Sequence, residues 1–216
     1  MFAKLTKQPD GSFALPVDIA HLPRASVDDA GVQHPHTIFT LWSQNELAAI
    51  GYFHYTETTI PDGKISIGSS HSFDGISVTK THTLADDPDY LDKQKTIMLS
   101  QIKSKRDRVR DAGIDYLTYT VETDANSRRE LTGAVVSINE AGLTDMAWRM
   151  KDNTVAILLA ADFKAMAIAV SIHVQSCYVN QGTLEAAVNA AINITALNAI
   201  DVSVGWPAHH IPSGAV

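Results

Sequence analysis

Hydrophobic and polar positions follow a regular order over the second half of the chain, between Gly113 and Pro207. Strand-favouring residues come first, in a short run that contains Tyr116, Tyr119 and Val121. Apolar residues at helical spacing follow, and these are Leu131, Val135 and Ile138. This order predicts a short strand pair and then a helix, which Asp124 caps at its start and Gly142 ends.

A second strand pair and a longer helix are predicted beyond Gly142. Two runs alternate along the chain, Met146, Trp148 and Met150 in the first and Val155, Ile157 and Leu159 in the second. The turn residues Lys151-Asp152-Asn153 separate them, which indicates a hairpin. Asp162 is predicted to cap the helix that follows, and its apolar stripe contains Phe163, Met166, Ala167, Val170, Val174 and Cys177.

The first 85 residues predict a small antiparallel β module. Residues 1–36 indicate an irregular segment, wrapped on another surface or partly flexible, because it contains the breakers Pro9-Asp10-Gly11, Pro16, Pro23, Gly31 and Pro35. Thr37 to Trp42 predicts a strand, and Ser43 to Glu46 predicts a capping box for a helix over 44–50. Further strands are predicted from Tyr52, Ile65 and Ile76, with turns at Pro61-Asp62-Gly63 and Phe73-Asp74-Gly75 between them.

Residues 86–112 predict a helix that links the two halves. Asp86 or Asp87 caps it, Pro88 lies in its first turn, and Gly113 stops it. Two interpretations stay open. One is a solvated spacer with a narrow packed stripe, and the other is a self-associating coiled coil, although some positions of its heptad seam are polar.

Together these elements predict an α+β protein with an N-terminal β-rich docking module (1–85), a linker helix (86–112) and a C-terminal domain (113–216). A chain of 216 residues is long enough for one large or two small domains. A formal net charge of −7 argues against a nucleic-acid partner. No apolar run approaches the ~20 residues of a membrane span, which argues against a membrane partner. The single cysteine excludes an intrachain disulfide and fits synthesis in a reducing cytoplasm.

Candidate chemistry is sparse along the chain. His173 and Cys177 are spaced as two ligands on one helix face, but they lie on the predicted core stripe, so core packing is favoured over a metal site. His34 or His36 could bind an ion on the axis of a trimer, and His209-His210 indicates a solvated pair. Asp124, Asp162 and Glu46 are better explained as helix caps than as acid–base pairs. The sequence therefore predicts no catalytic residue, no cofactor and no metal ion. A glycan hydrolase would need two positioned carboxylates, and the sequence indicates no such pair.

An ordered set of short segments resembles a known family. They are Tyr116 and Val121 before Thr123-Asp124, Ser127, Leu131-Thr132-Gly133-Ala134, Trp148 with Asp152-Asn153, His173-Val174 with Cys177-Tyr178, Leu184 with Ala187, and Ala199-Ile200-Asp201 before Gly205-Trp206-Pro207. The family is a small domain without assigned biochemical function, common at the C-termini of tail proteins of tailed bacteriophages. Leu117-Thr118 stands where family members usually have a glycine, so the first hairpin turn is expected to be looser or of another type. The segment from Leu41 to Tyr52 also resembles the opening module of similar phage tail proteins.

The resemblance implies a non-catalytic structural component of a phage tail, as a tail-fibre or baseplate adaptor made in the host cytoplasm and located in the virion. The alternative is a tail-fibre assembly chaperone that the virion does not retain. The expected partners are fibre, baseplate or tail-tip subunits and further copies of the chain, with a trimer favoured. The N-terminal module is expected to dock, because small β modules gain stability on a partner. Trp206 either seals the last helix or inserts into a partner. The predicted partner contacts are Phe13, Leu15, Trp42, Tyr52, Phe53 and Trp206.

Overall fold

The computed structural model of the protein describes residues 1–20 and 25–210. They form two compact units, Met1–Tyr90 and Leu91–Val216. Both mix strands with helices, which confirms the predicted α+β class. The predicted breaker Pro23 lies outside the described residues.

The first unit contains a five-stranded sheet and two short helices. Its elements are β1 (Phe2–Lys7), β2 (Phe13–Ala20), β3 (Ser26–Val27), β4 (Gln33–His34), α1 (Ile38–Leu41), α2 (Gln44–Ala49), β5 (Tyr52–Glu57), β6 (Lys64–Phe73) and β7 (Ser77–Asp86). The strand order is β2-β1-β5-β7-β6. All its pairs are antiparallel except β5 with β7, which run parallel, so the prediction of a purely antiparallel module was wrong at this pair.

The prediction of an irregular first segment was also wrong. Strand β1 lies inside the sheet between β2 and β5, with Ala3 and Leu5 buried. Pro9-Asp10-Gly11 does not break this region but turns the chain from β1 into β2, and the Asp10 carboxylate accepts hydrogen bonds from the backbone and hydroxyl of Ser12. The turn residues therefore close a hairpin.

Thr37 to Trp42, predicted as a strand, instead contains the single helical turn α1. Its consecutive residues Ile38 and Phe39 are both buried, and they pack with Phe2, Leu47 and Tyr52. A strand would point neighbouring side chains to opposite faces, whereas a helical turn allows both to face one core. The capping box on α2 is confirmed, since Ser43 and Glu46 bond reciprocally.

The second unit alternates helices with two β-hairpins. Its elements are α3 (Tyr90–Asp111, which begins at the last residue of the first unit), β8 (Ile114–Tyr116), β9 (Tyr119–Val121), α4 (Ala125–Ala141), β10 (Asp145–Arg149), β11 (Val155–Leu159), α5 (Ala160–Ala190) and α6 (Ile194–Asn198). The predicted cap at Asp124 and the left-handed stop at Gly142 are confirmed. Asp162 is not a cap, because α5 begins two residues earlier and places Asp162 in its first turn.

Two apolar cores hold the second unit together. The first lies between both hairpins, α4 and the first half of α5, and it contains Leu131, Ile138, Phe163, Met166 and Val170. The second lies between α3, the end of α5 and α6. Helix α3 belongs to this unit from Leu91 onward, and it packs along a narrow stripe, as one of its two interpretations expected, with Ile102 fully buried.

The hairpin turn between β8 and β9 is tighter than expected. Tyr116 pairs directly with Tyr119, so the turn contains two residues. The first of them, Leu117, has a left-handed φ of 53°, a conformation that glycine adopts without steric cost. Of the two expected alternatives, the looser turn was wrong. At the second hairpin, Asn153 has a φ of 67°, as expected for an Asp-Asn turn.

Candidate binding groove

An open concave surface of the second unit lies between α4 and α5. The apolar stripe of α4 faces the first half of α5, because Leu131 and Ile138 pack on Val170 and its neighbours in the shared core. Above this contact the two helices leave an open groove of about 600 Å³. Small side chains, such as Thr132 and Ala167, give the groove its depth.

The groove is lined mainly by aliphatic side chains. Leu131, Val135, Val170 and Val174 form part of its lining. Among its lining residues Val136 is 54% exposed, so its aliphatic side chain is open to solvent. A concave apolar surface with few polar groups is the common form of a binding site for a peptide or a small apolar ligand.

Charged groups stand at the rim, at Arg128 and Lys164. The Arg128 guanidinium donates to the Asp111 carboxylate at 2.8 Å and to the backbone carbonyl of Thr123, so its position is fixed. Hydrogen bonds from Arg110 and then from Arg128 hold the pKa of Asp111 below its ordinary value. Arg110 also donates to the hydroxyl of Tyr178, another lining residue. The groove therefore combines an apolar lining with a cationic rim.

The candidate metal pair lies in the core. His173 donates from Nε2 to the carbonyl of Val109 at 3.1 Å, and the Sγ of Cys177 lies 3.9 Å from the same nitrogen. Both side chains are buried, which confirms the prediction of core packing. Burial lowers the pKa of His173 and raises the pKa of Cys177. In the part of the chain that the structure describes, no three His, Cys, Asp or Glu side chains are placed to share a metal ion.

Of the other candidate histidines, His34 and His210 lie beside carboxylates. His34 lies 3.0 Å from the Asp28 carboxylate, and its ring packs edge-on against Trp42. His210 lies 2.9 Å from the Asp115 carboxylate, so this member of the predicted solvated pair is tied to the first hairpin, whereas His209 lies 3.2 Å from the carbonyl of Pro207.

The predicted partner contacts do not form one surface. Tyr52 and Phe53 are buried core residues, so they are not available to a partner. Phe13 and Trp42 pack against the cores of the first unit. Leu15, at 40% exposure, remains accessible and stays a predicted contact.

Trp206 adopts the sealing position that was one of its two predicted roles. It packs against the core formed by α3, α5 and α6, and its indole Nε1 donates to the carbonyl of Val202 at 2.9 Å. Sequence reasoning did not identify the groove. The available signal was an aliphatic residue of α5 outside its core stripe, Ile168, which lines the groove.

Of the helices in the described residues, none is long and apolar enough to cross a membrane. No curated protein and no solved structure matches the chain. A family model for a domain of unknown function, DUF4376, matches residues 93–204. The match begins within α3 and ends after α6, and it spans more than half of the chain. The chain therefore belongs to the DUF4376 family.

Proposed function

We propose that this protein is a non-catalytic structural component of a bacteriophage tail, an adaptor whose second unit binds another tail protein through the α4–α5 groove. The observation that carries the proposal is the open aliphatic groove of about 600 Å³. The phage setting is supported by the resemblance of residues 116–207 to domains at the ends of phage tail proteins.

The groove favours a protein segment as its ligand. Its lining lies between two helices, so an amphipathic helix can place apolar side chains at i, i+3, i+4 and i+7 along it. The cationic groups of Arg128 and Lys164 at the rim favour an acidic residue on that segment. The exposed aliphatic side chain of Val136 would be covered on binding.

The first experiment is quantitative mass spectrometry of gradient-purified virions, calibrated against the major tail-tube protein. An adaptor is expected at a reproducible stoichiometry of about three, six or a multiple, because the symmetry of an assembly fixes its copy number. Depletion from virions, together with abundance in the lysate bound to fibre protein, would overturn the structural role and favour the fibre-assembly chaperone.

The second experiment tests the groove itself. We expect Val136→Asp, introduced into the phage genome, to reduce incorporation of the protein into virions about tenfold or more, because the carboxylate would be buried unpaired in the interface. Val204→Asp is the matched control, since Val204 is 55% exposed and lies outside the groove lining. Normal incorporation of Val136→Asp, with the purified variant folded by circular dichroism, would exclude the groove as the docking site.

A further inference from the structure

Helix α5 carries a second stripe, mainly apolar, on the face opposite its core stripe. Its members recur at alternating spacings of three and four residues, and all are exposed. We call this stripe the outer seam, and its central residues are Ala165, Ile168, Ile172, Gln175, Val179 and Gly182. Ile168 and Ile172 are each 60% exposed, and Val179 is 59% exposed.

Alternating spacings of three and four residues are the pattern of a coiled-coil seam. The core stripe of α5 occupies the opposite heptad position, at Phe163, Val170, Cys177 and Leu184, and these residues are buried inside the unit. The outer seam therefore takes no part in the core of the unit. Ala161 and Ala186 extend it at its two ends, and both are exposed. A seam of this length and composition is typical of a helix that packs against another helix.

We propose that the occupant of the outer seam is the same α5 helix of a second copy of this chain, packed antiparallel. Antiparallel helices bring residues with a constant sum of residue numbers to one level. With Ile172 of one copy beside Gln175 of the other, Ile168 lies beside Val179, and Ala165 lies beside Gly182. The larger side chains then meet near the centre, and small residues meet at both ends, where they allow the backbones to approach closely.

Charge complementarity selects this register and direction. Lys164 and Glu185 flank the seam on the same side, one near each end. In the antiparallel register each lies within two residues of the level of the other on the second copy, close enough for long side chains to form two symmetric ion pairs. In a parallel pair the same flanking positions would face Ala169 and Ala190, without any charge partner. Within the described residues neither Lys164 nor Glu185 forms an ion pair, although Gln181 donates a hydrogen bond to Glu185 at 2.7 Å.

The seam is also large enough for a specific interface. From Ala161 to Ala186 it runs for about seven helical turns, which is a strip roughly 40 Å long. A strip of that length and about 15 Å wide removes roughly 600 Å² per copy from water, which approaches the ~800 Å² per partner of standard interfaces. The seam borders the proposed groove, because Ile168 and Gln175 also line it. The first test therefore uses Ile172, which lies outside the groove lining, so that failure of the dimer and failure of the groove can be told apart.

Analytical ultracentrifugation of the full chain tests the association. We expect a dimer at micromolar concentration, and we expect Ile172→Glu to raise its dissociation constant about a hundredfold or more, since two carboxylates would enter the seam. Ile76→Glu is the matched control, because Ile76 is 64% exposed and lies in the first unit, and it should leave the dimer unchanged. A wild-type monomer at tens of micromolar, or a trimer, would overturn the proposal.

Charge reversal tests the direction of the pair. Lys164→Glu and Glu185→Lys should each weaken the dimer about threefold to tenfold, as expected when two partly exposed ion pairs become repulsive. The double variant should recover wild-type affinity, because each pair is rebuilt with its charges exchanged. Additive weakening in the double variant would contradict the antiparallel register.

Disulfide trapping gives an independent measurement of the register. A mixture of Ile168→Cys and Val179→Cys should form a disulfide-linked heterodimer on mild oxidation, whereas each variant alone should not. The native Cys177 is buried and does not compete. A homodimeric disulfide of Ile168→Cys alone would indicate parallel helices and overturn the register, and the absence of any disulfide would overturn the seam as the interface.

Discussion

The structure predicts opposite effects for the same substitution at two glycines of the second unit. Gly113 joins α3 to β8 with a φ of 92°, and it is buried. A Cβ at this position would lie 2.8 Å from the carbonyl oxygen of Val121 and 3.2 Å from Nζ of Lys151. The Val121 backbone cannot retreat easily, because it pairs with Ile114 in the first hairpin.

The cost of Gly113→Ala follows from these contacts. A positive φ costs an L-residue about 1–2 kcal/mol. Relief of the backbone clash would move the Gly113 amide away from the buried hydroxyl of Thr123, to which it donates at 2.9 Å. Loss of such a buried hydrogen bond costs about 1–3 kcal/mol. We expect Gly113→Ala to lower the free energy of unfolding of this unit by about 2–4 kcal/mol.

Gly133→Ala is the matched control, with the opposite sign. Gly133 lies in the exposed part of α4, and nothing lies within 4 Å of its added Cβ. Alanine should therefore stabilise the helix by about 0.5–1 kcal/mol. Urea unfolding of both variants in a Trp42→Phe background measures this unit, because Trp148 and Trp206 then report alone. Equal shifts of the two variants, or a loss below about 1 kcal/mol for Gly113→Ala, would refute the reasoning.

Two further predictions concern the same unit. Leu117→Gly should stabilise it by up to about 1 kcal/mol in urea unfolding, because glycine adopts the left-handed conformation of this turn without strain. The leucine side chain is 74% exposed, so its removal loses little contact. Leu117→Ala keeps the strain, and a gain from alanine as large as that from glycine would contradict this explanation. Burial lowers the pKa of His173, so the unfolded chain binds a proton at this residue more readily than the folded chain. The free energy of unfolding should therefore be highest above the ordinary histidine pKa of about 6.5 and should fall as the pH drops below it. In His173→Gln the loss of stability between pH 7 and pH 5 should shrink, and an unchanged pH profile would show that His173 does not govern this range.

Local signals predicted most of the second unit, since they agree with one another there. Asp124 and Gly142 fix both ends of α4, and the Asp152-Asn153 turn fixes the second hairpin. In each case one residue type is needed for a specific backbone conformation, so the signal does not depend on distant parts of the chain. Two exceptions were Asp162, which lies in the first turn of α5 and does not cap it, and Leu117, where pairing of the flanking tyrosines imposes a turn that its own residue disfavours.

The first unit was predicted less well because its structure depends on non-local pairing. Residues 1–20 contain strong turn residues but only a short apolar run, so β1 becomes a central strand only through its partners β2 and β5. The parallel contact of β5 with β7 also has no local signature, since β6 lies between them in the sequence. The short helix α1 is similar, because its aromatic and β-branched residues favour a strand until the core formed by Phe2 and Tyr52 is in place.

The groove and the outer seam show a different limit of sequence reasoning. In α5 the buried and exposed aliphatic residues interleave, so the helix has apolar positions on nearly every side. Such a helix is predicted to be buried all round, yet the packing of α4 and the hairpins covers only part of it. Residue spacing identifies two stripes but not which of them the domain itself uses. Because Phe163 and Val170 are taken by the core, the other aliphatic face of α5 stays exposed, and this exposed face is the basis of both proposed interfaces.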